Sequence, residues 1–100
     1  GPWLVTTDDI PNPDALTVTT RLNGQQMQFG EFNHVAFDIP TLISYVSKAL
    51  PWRAGDVIVT GTPGGVGFKR KPPIFLKEGD VVEVEVNLVG TLVNSVANEV

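Results

Sequence analysis

Leu16-Thr17-Val18-Thr19-Thr20-Arg21-Leu22-Asn23-Gly24-Gln25-Gln26-Met27-Gln28-Phe29 is the stretch on which the fold turns. β-branched residues crowd its first half, and in its second half Met27 and Phe29 alternate with Gln. Asn23-Gly24 between them is the dipeptide that tolerates positive φ at both central positions of a type I′ turn, so the spacing predicts a β-hairpin, Leu16–Leu22 with Gln25–Phe29. Downstream, Leu42, Ile43, Val46, Ala49 and Leu50 repeat at helical intervals, which predicts a helix over Ile39–Leu50 with Asp38 as N-cap and Pro40 in the first turn. Val57-Ile58-Val59 is too short for a helix and reads as a buried strand. Val82, Val84 and Val86 alternate with Glu83 and Glu85 as a second, and Gly90 turns the chain into a last strand, Thr91–Val96. Upstream, Trp3–Thr6 reads as a short buried strand, followed by a loop dense in Pro, Asp and Asn. About six strands around one central helix predict a mainly-β or α+β domain, not alternating β-α units.

A chain of 100 residues fits one small domain, and 42% hydrophobic against 18% charged residues excludes a disordered or solvated tail. The charge-poor surface is where other protein would sit. Seven basic against eleven acidic residues, net −4, argue against nucleic acid and anionic membrane as partners. No run reaches the roughly 18 apolar residues of a membrane span, and the opening Gly1–Val5 lacks the pattern of a signal peptide. The expectation is a soluble, cytoplasmic protein. Without Cys there is no disulfide, thiolate nucleophile or Cys metal site, so packing or a partner must hold the fold. The chain starts at Gly1 and its only Met is Met27, as expected if more sequence lies upstream.

The segment Thr60-Gly61-Thr62-Pro63-Gly64-Gly65-Val66-Gly67 is the most informative for chemistry. Four Gly in seven positions let main-chain N–H groups approach a ligand, although the same glycines also serve a plain turn at a strand end. A phosphate loop is excluded, because no Gly-Lys-Ser/Thr and no helix follow. Glu83 and Glu85 would face one way on a strand and suit a hard cation, but period-two patterning puts Glu on the wet face of an ordinary strand just as well. His34 is the only imidazole, with Asp38 near enough in sequence to partner it; it also fits a plain surface role. Lys69-Arg70-Lys71 beside Pro72-Pro73 reads as an anion clamp or a solvated loop. No nucleophile triad is visible.

The ordered series Gly1–Thr6, Asn23-Gly24, Phe37-Asp38-Ile39, Gly55–Ile58, Thr60–Gly67, Lys77–Val82 and Gly90–Leu92 resembles the C-terminal part of the fumarylacetoacetate hydrolase family, over essentially the whole chain. It looks most like the branch of acylpyruvate hydrolases and hydroxyheptadienedioate isomerase/decarboxylases. The resemblance implies a mixed β-sandwich roll, with residues 1–100 as the C-terminal portion of one catalytic domain. It implies homodimers, a small oxo-acid substrate, and C–C hydrolysis, decarboxylation or keto-enol isomerisation. It further implies Mg²⁺ or Mn²⁺ on a Glu-x-Glu pair and an Asp placed before the Gly-Pro-Trp segment, hence ligands outside this chain and a missing N-terminal segment as partner. Thr62 carries over as the residue at the substrate carboxylate, with Gly61 and Gly64 shaping its loop. Phe32–Ala36 departs from the family's pattern, so His34 gains no role from it. Beside the enzyme reading stands another, a non-catalytic structural or interaction module without a metal site.

Overall fold

The computed structural model describes residues 2–99. Its centre is one antiparallel sheet with strand order β2-β1-β3-β4, built from β1 (Thr17–Leu22), β2 (Gln25–Glu31), β3 (Val81–Val86) and β4 (Gly90–Ser95). One helix, α1 (Ile39–Ser47), lies between β2 and β3 in sequence. The α+β class therefore stands.

The hairpin forms where its turn chemistry places it. Asn23 and Gly24 take φ of 51° and 79°, and Leu22 pairs directly with Gln25. The register then slips: Thr20 pairs with Gln28 but Arg21 with Gln26, so Met27 is an extra residue on β2. Such a bulge reverses the alternation beyond it. Gln28 and Gly30 consequently share a face with Val18 and Thr20 of β1 and Val84 and Val86 of β3, while Phe29 pairs with Thr19 on the other.

Helix α1 starts as its sequence dictates, with the Asp38 carboxylate accepting from the Thr41 N–H at 2.7 Å and Pro in the first turn. It ends three residues before the expected Leu50. There the Ser47 hydroxyl donates to the Ile43 carbonyl, and the Trp52 indole donates to Ser47 Oγ at 2.7 Å.

Six expected strands become four. Trp3–Thr6 and Val57–Val59 pair with no strand among the described residues, and neither is buried: Leu4 is 93% exposed and Val59 89%. An extended apolar run becomes a strand only when a neighbour takes its N–H and C=O groups. Among the described residues only Leu16 and Thr19 are buried, at 6% and 8% exposure. The radius of gyration, 15.9 Å, exceeds the roughly 13 Å of a compact 100-residue domain. Other sequence expectations hold locally: Glu83 and Glu85 are half-buried on the sheet face opposite the valines, and Arg21 pairs with Glu85 at 2.7 Å.

Candidate functional site

The valine face of the sheet is the floor of a cavity of about 1100 Å³. Val18, Thr20, Val84 and Val86 lie on its sheet side, and the segment Thr60–Gly64 runs along another wall. All three sequence-predicted residues, Gly61, Thr62 and Gly64, line this space together. A second depression, about 670 Å³ beside α1, is lined largely by Val46, Leu50, Trp52 and the Val57–Val59 run, and lacks such a cluster of loop groups.

Three contacts hold the glycine loop against β2. Gln28 Nε2 donates to Thr62 Oγ1 at 2.8 Å and to the Pro63 carbonyl at 2.7 Å. Arg70 donates through Nε to the Gly65 carbonyl at 3.0 Å, and through its terminal nitrogen to the Met27 carbonyl. Pro63 packs on Gly30, where an added Cβ would lie 3.0 Å from the proline Cβ. Gly61 takes φ of 101°. Among the described residues no acceptor takes the N–H groups of Gly61, Thr62 or Gly64. The wall thus offers one hydroxyl and several free main-chain donors, a set suited to an anionic oxygen.

Gln28 and Arg70 escaped the sequence reading. Gln28 sat in an alternation that reads as solvent-facing, and only the bulge at Met27 turns it toward the loop. Arg70 belongs to a basic triplet read as an anion clamp or a solvated loop; in the structure it grips main-chain carbonyls. The doublet Gly64-Gly65 was the one available signal, since a Cβ on Gly65 would collide with the Met27 carbonyl.

Glu31 and His34 are the only titratable side chains among the lining residues. His34 Nδ1 lies 3.4 Å from the Glu31 carboxylate, so the acidic neighbour of His34 is Glu31; Asp38 is occupied as the helix cap. No three His, Cys, Asp or Glu side chains converge among the described residues. The donors present here therefore do not fit a Mg²⁺ or Mn²⁺ ion, which asks for several oxygen ligands. No helix among them is long and apolar enough to cross a membrane.

Comparison with known proteins agrees with this architecture. The human mitochondrial oxaloacetate tautomerase FAHD2A is 46% identical over 96 residues, which are 96% of this chain and 31% of that protein. The chain thus spans about a third of the length of the curated relatives it matches. Fumarylacetoacetate hydrolase from psychrophilic Exiguobacterium antarcticum superposes with a TM-score of 0.92 at 41% identity, covering 99% of this chain and 35% of that one. Maleylpyruvate hydrolase from Sphingobium sp. SYK-6, solved in complex with manganese(II) ion and pyruvate, superposes with a TM-score of 0.82 at 30% identity, covering 95% of this chain and 33% of that one. Solved isomerases are among the structural neighbours as well. With residues 1–97 matching the fumarylacetoacetate (FAA) hydrolase C-terminal family model, the chain belongs to the fumarylacetoacetate hydrolase family.

Proposed function

We propose that this chain supplies the substrate-carboxylate wall of an enzyme acting on a 2-oxo or 1,3-dicarbonyl carboxylic acid. The observation that carries the reading is the placement of Thr62, with the free N–H groups of Gly61 and Gly64, along one wall of an apolar-floored cavity. In the reaction the Thr62 O–H and these N–H groups hold the acid end of the substrate, and the valine floor excludes water from its carbon skeleton. Orienting a substrate in this way lowers the barrier because the reacting atoms no longer search for their geometry. The proposed reaction class is C–C bond hydrolysis, decarboxylation or keto-enol isomerisation; relatives named as a tautomerase, a hydrolase and an isomerase support its hydrolytic and isomerising members. A divalent ion, Mg²⁺ or Mn²⁺, is part of the proposal for the whole protein, with its ligands outside these hundred residues; when bound, such an ion acts as a Lewis acid on a carbonyl oxygen.

Apolar surface supports a proposal about partners. Trp3, Leu4, Val57 and Val59 lie on the surface of this chain, at exposures of 63%, 93%, 82% and 89%. We assign their cover to the rest of the catalytic domain and to the second subunit of a homodimer.

Thr62→Val in the full-length protein tests the reading. It is expected to raise KM or lower kcat for oxaloacetate at least several-fold, about the worth of one hydrogen bond to a charged group. Unchanged kinetics would remove Thr62 from the site.

A further inference from the structure

We infer that Gln28 is a positioning residue that sets the direction in which Thr62 donates its proton, resting on the reading of Thr62 as a carboxylate donor. The Pro63 carbonyl has no proton to give, so the Gln28 group 2.7 Å from it must be the NH₂ end of the amide. That end has two protons. One goes to Pro63, and the second to Thr62 Oγ1 at 2.8 Å. Thr62 Oγ1 is therefore an acceptor toward β2, and its own proton is left to point elsewhere.

One otherwise attractive acceptor for that proton is thereby removed: the Gln28 amide shows Thr62 its NH₂ end, not its carbonyl. Thr62 lines the cavity, and a carboxylate there, which only accepts, is the complement of a hydroxyl whose proton is free. A hydroxyl that is already accepting a hydrogen bond is also the better donor, because the two bonds polarise each other. Gln28 reaches this position only because Met27 bulges out of the ladder; in an unbroken register it would sit on the opposite face of the sheet.

The test measures KM and kcat for oxaloacetate tautomerisation by the full-length protein carrying Thr62→Val, Gln28→Met, Gln28→Glu or Thr62→Val with Gln28→Met. Gln28→Met is expected to raise KM several-fold, by no more than Thr62→Val does, with kcat within about threefold of the parent. Gln28→Glu is expected to raise it further, because a carboxylate at that place takes the Thr62 proton for itself. In the double variant KM should be no higher than in Thr62→Val alone. A raised KM in Thr62→Val beside unchanged KM in both Gln28 variants would overturn the role of Gln28 and leave the carboxylate wall intact, as would effects that multiply in the double variant. Unchanged KM and kcat in Thr62→Val would overturn the wall itself. A crystal structure of the unmutated protein with oxalate answers independently of how the variants fold. It should show Thr62 Oγ1 bonded to both Gln28 Nε2 and an oxalate oxygen; Gln28 bonded to oxalate in place of Thr62 would overturn the assignment.

Discussion

The guanidinium of Arg70 bridges the carbonyls of Gly65 and Met27, tying the glycine loop to the residue at which β2 bulges. A bulge frees a carbonyl from the regular ladder, and here a forked cation takes it up. A flexible ammonium cannot span both acceptors in the same way.

Arg70→Met and Arg70→Lys are therefore both expected to destabilise the full-length protein, by about 2 kcal/mol and about 1 kcal/mol, from the usual worth of hydrogen bonds made by a charged donor. Urea denaturation checks the values. Faster amide exchange confined to residues 60–67 would locate the effect in the loop, whereas exchange unchanged there would refute the clamp.

Gly65 has φ of 107° and no space for a Cβ, which would run into the Met27 carbonyl. Gly65→Ala combines backbone strain with a clash against main chain, and about 3 kcal/mol of lost stability is expected. Gly24→Ala is the control: its φ of 79° carries the strain, but nothing lies near its Cβ. Its melting temperature should fall less than that of Gly65→Ala.

Asp80 receives hydrogen bonds from the Asn23 side-chain amide at 2.9 Å and from the Lys77 N–H at 2.8 Å. The Asn23 amide first, then the Lys77 N–H, hold its carboxyl below the ordinary value of 3.8. In the unfolded chain that value is restored, so the folded state binds the proton less readily. The contribution of Asp80 is thus fully present above the ordinary carboxylate range and is lost as pH falls through the lowered folded value. Urea midpoints of the parent and of Asp80→Asn should differ at about pH 6, and the difference should shrink as pH falls below the ordinary carboxylate range. A difference that is independent of pH would show that the charge of Asp80 contributes nothing.

Val59 is 89% exposed in this chain. If further protein covers it, Val59→Ser in the full-length protein removes buried apolar surface and should cost more than 1 kcal/mol, roughly the transfer free energy of such a side chain. A cost within about 0.5 kcal/mol, the ordinary range for surface substitutions, would mean that Val59 stays in water.

Which parts of the fold were legible in the sequence depends on how far each signal reaches. Asn23-Gly24 accepts positive φ from its own chemistry, Asp38 caps the next three residues, and the Val-Glu alternation of β3 needs only the pleat. All of these were read correctly, as was the resemblance carried by Thr60–Gly67. The pair Gly55-Asp56 and Gly79-Asp80 shows where such reading stops. In both, the Asp carboxylate accepts from the N–H three residues back, Arg53 or Lys77, at 2.8 Å. Only the second turn feeds a strand. Asp80 and Val81 are met by the side chain of Asn23, and β1 and β4 lie ready on either side, whereas Val57–Val59 has no such neighbour among the described residues.

The amino-acid sequence by itself determined the turns, the helix start, the α+β class and the identity of the loop that carries Thr62, because each rests on residues adjacent in the chain. Tertiary structure alone decided that Met27 bulges, that Gln28 therefore faces Thr62, and that Arg70 closes on main-chain carbonyls five and forty-three residues away. The physical reason is that a strand's register, and with it the face each side chain occupies, is chosen by its partner's hydrogen-bonding groups and not by its own residues.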